Sequence, residues 1–130
     1  MSNRLNISSG AILEDLVGYS RAVRIGNTVE VSGSTSVEGD KVLHPGDPYH
    51  QTIATLETIQ KALDQAGAKL VDVIRTRIYV TDIEQDWEAI GKAHGSFFSD
   101  IQPATTMIEV SRFIHPDMLV EIEATAIISE

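Results

Sequence analysis

Charged and hydroxyl side chains alternate with apolar ones along the strands that the sequence predicts in the second half of the chain. Counting every second residue places these polar groups on one face of a sheet: Arg75, Arg77, Tyr79, Glu109, Ser111, Glu121, Glu123 and Thr125. Both charge signs occur among them, and buried charges must be paired. The face is therefore either the solvated side of an antiparallel sheet or a subunit interface or site lined by compensated charges.

His94 is the histidine whose position best suits acid or base chemistry near neutral pH. It lies on the apolar stripe of the predicted second helix, together with Trp87, Ile90, Phe97 and Phe98. The same position suits a hydrogen-bonded histidine in the core or at an interface. The pattern does not decide between packing and catalysis.

Other reactive groups are missing or badly spaced. The 130 residues contain no cysteine, which excludes disulfides, thiolate metal sites and a cysteine nucleophile. His44, His50 and His115 lack the spacing of metal ligands, so we expect no metal and no cofactor. The sequence also contains no glycine-rich phosphate loop and no nucleophile elbow.

The composition is that of an ordinary globular chain with one core, because 42% of the residues are hydrophobic and 22% are charged. The net charge of -9 provides no electrostatic footprint for nucleic acid. No apolar run approaches the roughly 20 residues that span a bilayer, and the N-terminus lacks the apolar stretch of a secretory signal. We expect a single domain over residues 1–130, a cytoplasmic location and no membrane partner.

Turn and cap residues divide the chain into the elements that must position these groups. Residues 26–27, Gly-Asn, separate two short β segments as a tight hairpin. Residues 33–47 read as a loop, and an Asp-Pro start predicts a helix over 48–66. Alternation predicts a strand over 71–80, and an apolar stripe predicts a second helix over about 84–98.

The predicted order is ββαβαββ, because two further strands cover about 105–112 and 118–128. Residues 1–17 show no clear pattern. This order indicates an α+β fold with both helices on one face of a sheet. The predicted helix-facing positions are apolar: Ile74, Ile78, Val80, Ile108, Val110, Val120, Ile122, Ala124 and Ala126.

Short segments in a fixed order make the chain similar to a known family. They are Gly18-Tyr19-Ser20-Arg21-Ala22-Val23, Val31-Ser32-Gly33, Gln65-Ala66-Gly67, Val80-Thr81-Asp82, Phe97-Phe98, Pro103-Ala104, Glu109-Val110 and Val120-Glu121-Ile122-Glu123-Ala124. Over residues 16–128 the chain resembles the Rid family (reactive intermediate deaminase A and relatives, also called YjgF-type). Some members of that family are labelled L-PSP endoribonucleases or translation initiation inhibitors.

The resemblance implies a chorismate-mutase-like fold that assembles as a homotrimer around a central barrel, with clefts between the subunits. In active deaminases of the family, each cleft hydrolyses a small enamine or imine to a keto acid and ammonia. The resemblance makes Glu121 and Tyr19 catalytic residues. It also implies substrate-binding positions at Gly33, Ser34, His94, Thr105 and Met107. For Glu121 the alternative is an ion pair with Arg75 or Arg77, and for Tyr19 it is packing.

The chain departs from the family at the arginine that clamps the substrate carboxylate. Residues 103–107 read PATTM, so Thr105 stands at the arginine position and Met107 where cysteine is common. Losing a charge-assisted contact to a desolvated partner costs about 2–5 kcal/mol. Compensation by Arg112 or Arg21 has little support in the pattern. We therefore expect weak or no activity on 2-iminopropionate.

Three interpretations of the function follow. The first is a homotrimer that binds small carbonyl or imine metabolites in its clefts and hydrolyses an enamine or imine. The second is a non-catalytic module that senses a ligand or binds a protein. The third is an endoribonuclease or translation inhibitor, which the net charge of -9 disfavours.

Overall fold

The computed structural model describes residues 3–129, which form eight strands and three α-helices. In chain order these are β1 (Arg4–Ile7), α1 (Ile12–Val17), β2 (Ala22–Ile25), β3 (Thr28–Ser34), β4 (Val37–Glu38), β5 (Lys41–Val42), α2 (Pro48–Gln65), β6 (Val73–Val80), α3 (Ile83–Phe98), β7 (Ala104–Glu109) and β8 (Val120–Ile127). A short 3-10 helix at Leu70–Asp72 connects α2 to β6.

The main layer is a six-stranded mixed sheet in the order β1-β2-β3-β8-β6-β7. Its neighbouring strands are antiparallel except β6 and β7, which run parallel and are connected through α3. The two long helices pack on each other, and α2 lies over β3 and β8. Between helices and sheet lies the core, whose fully buried side chains include Leu56, Ile59, Ile90, Phe98 and Ile122. The predicted α+β class with both long helices on one face is confirmed.

The cap residues of α2 place its ends. Asp47 precedes the helix and accepts a hydrogen bond from His50 N at 3.0 Å. Pro48 occupies the first turn, where its missing N–H costs no helical hydrogen bond. Gly67 follows the last turn with a φ of +84°. The predicted helix over 48–66 agrees with the observed bounds to within one residue.

A β-bulge at the start of β6 overturns one assignment to the core. Val73 pairs with Ala126, but Arg75 pairs with Thr125, so the register shifts between them. The extra residue leaves Ile74 48% exposed and buries Val73 instead, at 3% exposure. Ile74 was predicted to face the helices. That prediction is wrong because strict alternation does not hold through a bulge.

The side chains of β7 have the opposite phase to the predicted one. Met107 lies beside Ile78 and Ile108 beside Tyr79 in the parallel register. Met107 therefore packs against the core, while Ile108 is 46% exposed on the polar face. Glu109, predicted on the polar face, instead accepts a hydrogen bond from the first backbone N–H of α3 at 3.0 Å. The adjacent apolar residues 107 and 108 fit either phase, and pairing with β6 decides between them.

Two segments that were predicted to be irregular contain short elements. β1 pairs with β2 at the sheet edge, and α1 follows it, whereas residues 1 and 2 lie outside the described part. The predicted loop over 33–47 holds the β4-β5 ribbon. Elements this short carry too few residues for a periodic pattern.

β7 ends at Glu109, so Val110 and Ser111 lie beyond the strand that was predicted to contain them.

Candidate active site

The Glu121 side chain lies against the backbone of Gly33 on the neighbouring strand. β3 pairs with β8, and the register between them shifts between Val31 and Ser34. A Cβ at position 33 would overlap Oε2 of Glu121 and would lie 3.0 Å from its Cδ. The missing Cβ of Gly33 thus lets the Glu121 carboxylate lie against the backbone, and a larger residue would displace that side chain.

Arg21 connects three of the predicted site residues. Its Nη1 donates to Gly33 O at 2.7 Å and to Ser34 Oγ at 3.1 Å, and its Nη2 donates to Tyr19 OH at 3.3 Å. Arg21 is buried, and its Cζ lies 5.5 Å from the centroid of the Tyr19 ring. Ser34 Oγ donates in turn to Ser32 O at 2.9 Å. One guanidinium thus fixes the Gly33 carbonyl, the Ser34 hydroxyl and the Tyr19 hydroxyl.

Glu14 on α1 supplies the counter-charge of Arg21. Its Oε2 lies 3.8 Å from Arg21 Nε, and both side chains are almost fully buried. Ser8 Oγ donates to Glu14 Oε1 at 3.0 Å, and Ser9 donates through its backbone N at 3.2 Å and through its hydroxyl. Burial raises the pKa of Glu14, but hydrogen bonds from Ser9 and Ser8 and the Arg21 charge outweigh it and lower the pKa overall. Glu14 is therefore ionised at neutral pH.

The Glu121 carboxylate receives no hydrogen bond from any group in residues 3–129. Burial raises its pKa, and the nearby charge of Glu123 raises it further, while Arg21 lowers it in part. The net effect is a pKa above the ordinary value. Glu121 is thus a partly buried carboxyl whose hydrogen-bonding capacity is not used by any group in residues 3–129.

Neither arginine of the polar face is hydrogen-bonded to Glu121 or within salt-bridge distance of it. Arg75 Nη2 donates to Thr106 Oγ1 at 2.7 Å. Arg77 Nη1 lies 4.0 Å from Glu123 Oε1, one alternation away along β8. Within one chain, the ion pair that was the alternative explanation for Glu121 does not form.

A second group of predicted site residues surrounds Thr76. Its Oγ1 lies 2.9 Å from His94 Nε2 and 2.7 Å from Thr105 Oγ1. Thr105 Oγ1 also lies 3.1 Å from Pro103 O. The His94 ring packs on Phe98 with 4.7 Å between centroids, and burial lowers the pKa of His94. His94 is therefore neutral at neutral pH and hydrogen-bonded to a buried hydroxyl.

The two groups lie on opposite faces of the sheet. Glu121 pairs with Tyr79, whereas Ala124 pairs with Thr76, and residues 121 and 124 project in opposite directions along β8. The first group, around Arg21, is Tyr19, Gly33, Ser34 and Glu121. The second, on the helix-covered side, is His94, Thr105 and Met107.

Sequence reasoning undervalued Arg21 and missed Glu14. Arg21 precedes the core residue Ala22, so alternation alone assigns it to the polar face with Glu121. Glu14 lies in a segment without periodicity, and its role depends on contacts with Arg21 that only folding creates. Arg112, the other cation considered, makes none of the hydrogen bonds of Thr105, which go to Thr76 and to a backbone carbonyl.

A depression of about 450 Å³ opens beside the first group, lined by Tyr19, Glu14 and residues of β1 and β2, but not by Glu121. Among residues 3–129, no three His, Asp or Glu side chains are close enough to hold a metal ion. In the same part of the chain, no helix is long and apolar enough to cross a membrane.

A family model described as endoribonuclease L-PSP matches residues 10–128. The chain belongs to the Rid (YjgF-type) family. The resemblance noted over residues 16–128 is thereby confirmed. The name of the family model describes a ribonuclease, but sequence relatives of this Rid chain include a protein of a different activity.

The 3-aminoacrylate deaminase RutC of Acinetobacter baylyi is 36% identical over 112 residues, covering 85% of this Rid chain and 87% of that protein. A YjgF/YER057c/UK114 family member from Mycobacterium tuberculosis is 49% identical and superposes with a TM-score of 0.86, covering 97% of this chain and 100% of that one. TdcF from E. coli, crystallised with bound serine, is 28% identical, with a TM-score of 0.77 and coverage of 85% and 88%.

Proposed function

We propose that this Rid chain assembles as a homotrimer and hydrolyses a small enamine or imine to a carbonyl compound and ammonia in clefts between chains. The observation that carries the proposal is the Glu121 carboxylate. It is partly buried against Gly33, and no group in residues 3–129 donates a hydrogen bond to it. A carboxylate in this setting can hold a water molecule and accept its proton.

The chemistry needs little beyond a positioned water, because the carbon of an imine is already electrophilic. Water oxygen adds to that carbon while Glu121 accepts a proton from the water. The carboxyl returns the proton to nitrogen, which gives a carbinolamine. Glu121 then accepts the proton of the carbinolamine hydroxyl and passes it to nitrogen, so that the C–N bond breaks and ammonia leaves as the carbonyl forms. Tyr19 OH accepts a hydrogen bond from Arg21, so its own proton is free to be donated to the substrate.

The placement of the two groups of site residues supports assembly with another copy of the chain, and the number three is what the family resemblance implies. Thr105 is exposed on β7, an edge strand, whereas Glu121 lies on the opposite face of the sheet. A second copy that brings its β7 edge to the polar face of the first would close a cleft containing both groups. Ile108 is 46% exposed on that polar face and would be covered in the same step.

Small 2-imino acids are poor candidates for the substrate. The hydroxyl of Thr105 already lies within hydrogen-bond distance of Thr76 and Pro103 O, and it cannot neutralise a carboxylate. Losing an arginine clamp costs about 2–5 kcal/mol, which corresponds to a loss of roughly 30-fold to several thousand-fold. An imine or enamine whose recognition does not depend on that clamp fits better.

Relatives support the class of reaction. The similar protein RutC is named a 3-aminoacrylate deaminase, so a related chain is named for an enamine-type substrate. The similar protein TdcF binds serine in its crystal structure, which shows that a related chain accepts a small metabolite.

The first prediction concerns catalysis. An amine oxidase that releases imines from primary amines supplies the substrate, and ammonia release is followed with and without this protein. Wild-type protein should accelerate release, and Glu121→Gln should abolish the acceleration, because an amide cannot accept the water proton. Activity should also fall on acidification at a higher pH than for an ordinary glutamate, because the pKa of Glu121 is raised.

Glu88→Gln is the matched control, since Glu88 is exposed on α3 and the substitution removes the same charge. Its rates should equal those of the wild type. Equal rates for Glu121→Gln and wild type would contradict the hydrolase proposal for the substrates tested.

A second candidate, a non-catalytic ligand-binding module, is favoured by one observation. Thr105 occupies the position of the clamping arginine and is engaged within its own chain. Binding of small carbonyl compounds without any Glu121-dependent hydrolysis would support this module over the enzyme.

A further inference from the structure

Arg21 is the basic residue that contributes electrostatically to Glu121, yet it is not available to an anionic ligand. Both N–H groups of its Nη1 are directed at Gly33 O and Ser34 Oγ, and its Nη2 donates to Tyr19 OH. Its charge is balanced by ionised Glu14, whose carboxylate lies 3.8 Å from Nε. A ligand carboxylate approaching Glu121 would meet a guanidinium whose charge Glu14 opposes and whose Nη atoms are already hydrogen-bonded.

The other charges near Glu121 make the site more negative. Glu123 lies two residues further along β8 on the same face, and its negative charge raises the pKa of Glu121. Arg77 lies between Glu123 and Thr125, at 4.0 Å and 3.4 Å from their side-chain oxygens. Arg75 is directed at Thr106 on the far side of β6. Within one chain, no cation among residues 3–129 therefore faces Glu121 without a partner of its own.

We propose that the Glu121 site selects cationic or neutral imine-like ligands and rejects carboxylates, with Glu14 as the residue that cancels Arg21. This inference rests on the proposed function, since it names the substrate class of the same site. A protonated C–N group placed against Glu121 gains a charge-assisted hydrogen bond. A carboxylate in the same place meets like charge without a compensating guanidinium.

The second prediction tests this charge preference with three probes of the same shape. Acetamidinium, acetamide and acetate are positive, neutral and negative at neutral pH. Their affinities for the purified full chain are measured by ligand-observed NMR at one ionic strength. We expect acetamidinium to bind about fivefold tighter than acetamide, as a partly exposed charge pair would give, and acetate to bind most weakly.

Two variants assign the preference to particular residues. Glu14→Gln keeps an acceptor for Ser8 and Ser9 but frees the Arg21 charge, so acetate should bind about fivefold tighter than to the wild type. Asp15→Asn is the matched control, because Asp15 is an exposed neighbour on the same helix, and it should change nothing. Glu121→Gln should remove the preference for acetamidinium.

The outcomes separate the charge preference from the proposed function. Tighter binding of acetate than of acetamidinium to the wild type overturns the preference, as does failure of all three probes to bind. An equal gain in acetate affinity for Glu14→Gln and Asp15→Asn overturns the role of Glu14, because the change in net charge alone would explain the gain. If Glu14→Gln does not fold, the test is made with Glu121→Gln alone. Loss of the preference for acetamidinium in that variant supports the charge preference of the site, and its retention overturns it. If Glu121-dependent hydrolysis is found but acetate binds tightest, the proposed function stands and the charge preference is overturned. If acetamidinium binds tightest but no Glu121-dependent hydrolysis is found, the charge preference stands and the proposed function is overturned.

Discussion

Gly33 and Glu121 show at the scale of single residues how closely a carboxylate approaches the backbone in this site. The carboxylate occupies the space that a Cβ at position 33 would need. Arg21 donates a hydrogen bond to the Gly33 carbonyl at 2.7 Å. The backbone of residue 33 therefore contacts both a guanidinium and a carboxylate, and a change at this position should affect both.

The third prediction is that Gly33→Ala destabilises the protein by only about 0.5–1.5 kcal/mol, because the new methyl group overlaps the Glu121 carboxylate, the end of a flexible side chain that can turn away. The cost should shrink in a Glu121→Ala background, where the space is vacant. Urea denaturation of the two single variants and the double variant measures the coupling.

Gly91→Ala serves as the control, since nothing lies within 4 Å of a Cβ at that helical position and alanine favours helix. It should be neutral or stabilising. A cost for Gly33→Ala that persists unchanged beside Glu121→Ala would show that the carboxylate is not the group in the way.

At the scale of elements, the parallel pairing of β6 and β7 sets which side chains reach which face. α3 carries the chain from the end of one strand to the start of the other, and Glu109 accepts a hydrogen bond from the first N–H of α3. The register then places Thr105 beside Thr76 and Met107 beside Ile78. The second group of site residues exists because of this crossover.

The fourth prediction compares neighbouring positions on β7. Met107→Asp should cost about 3 kcal/mol of folding free energy, because Met107 packs against the core and an unpaired carboxylate there is poorly solvated. Ile108→Asp should change the stability of the folded chain by only about 0.5 kcal/mol, because Ile108 is exposed in the single chain. Denaturation at low protein concentration measures the loss of folding free energy in both variants. Equal losses would contradict the observed orientation of β7, in which Met107 faces the core and Ile108 does not.

For the molecule as a whole, α2 and α3 cover one face of the sheet, and the part of the other face formed by β6, β7 and β8 is bare. The bare face combines exposed Ile108 with half-buried Arg75, Arg77, Tyr79 and Glu123. A surface that mixes apolar and compensated charged groups in this way suits contact with another copy of the chain. The net charge of -9 on each chain makes an anionic polymer a poor alternative partner.

The fifth prediction is a mass in solution three times that of one 14.2 kDa chain, measured by multi-angle light scattering over a range of concentrations. Ile108→Asp should shift the mass toward that of a single chain, because three carboxylates would meet at the buried bare faces. A wild-type mass of one or two chains at all concentrations would rule out the trimer, and with it clefts shared by three chains.

The sequence by itself determined the long elements, since caps and periodicity place α2 and the apolar stripe places α3. It also determined the family, and the composition excluded thiol chemistry. The phase of β7 and the bulge at Val73 and Ile74 were decided only by tertiary structure, because pairing with neighbouring strands outweighs alternation. The pairing of Arg21 with Glu14 was likewise decided by folding, which brings a segment without periodicity against a buried guanidinium.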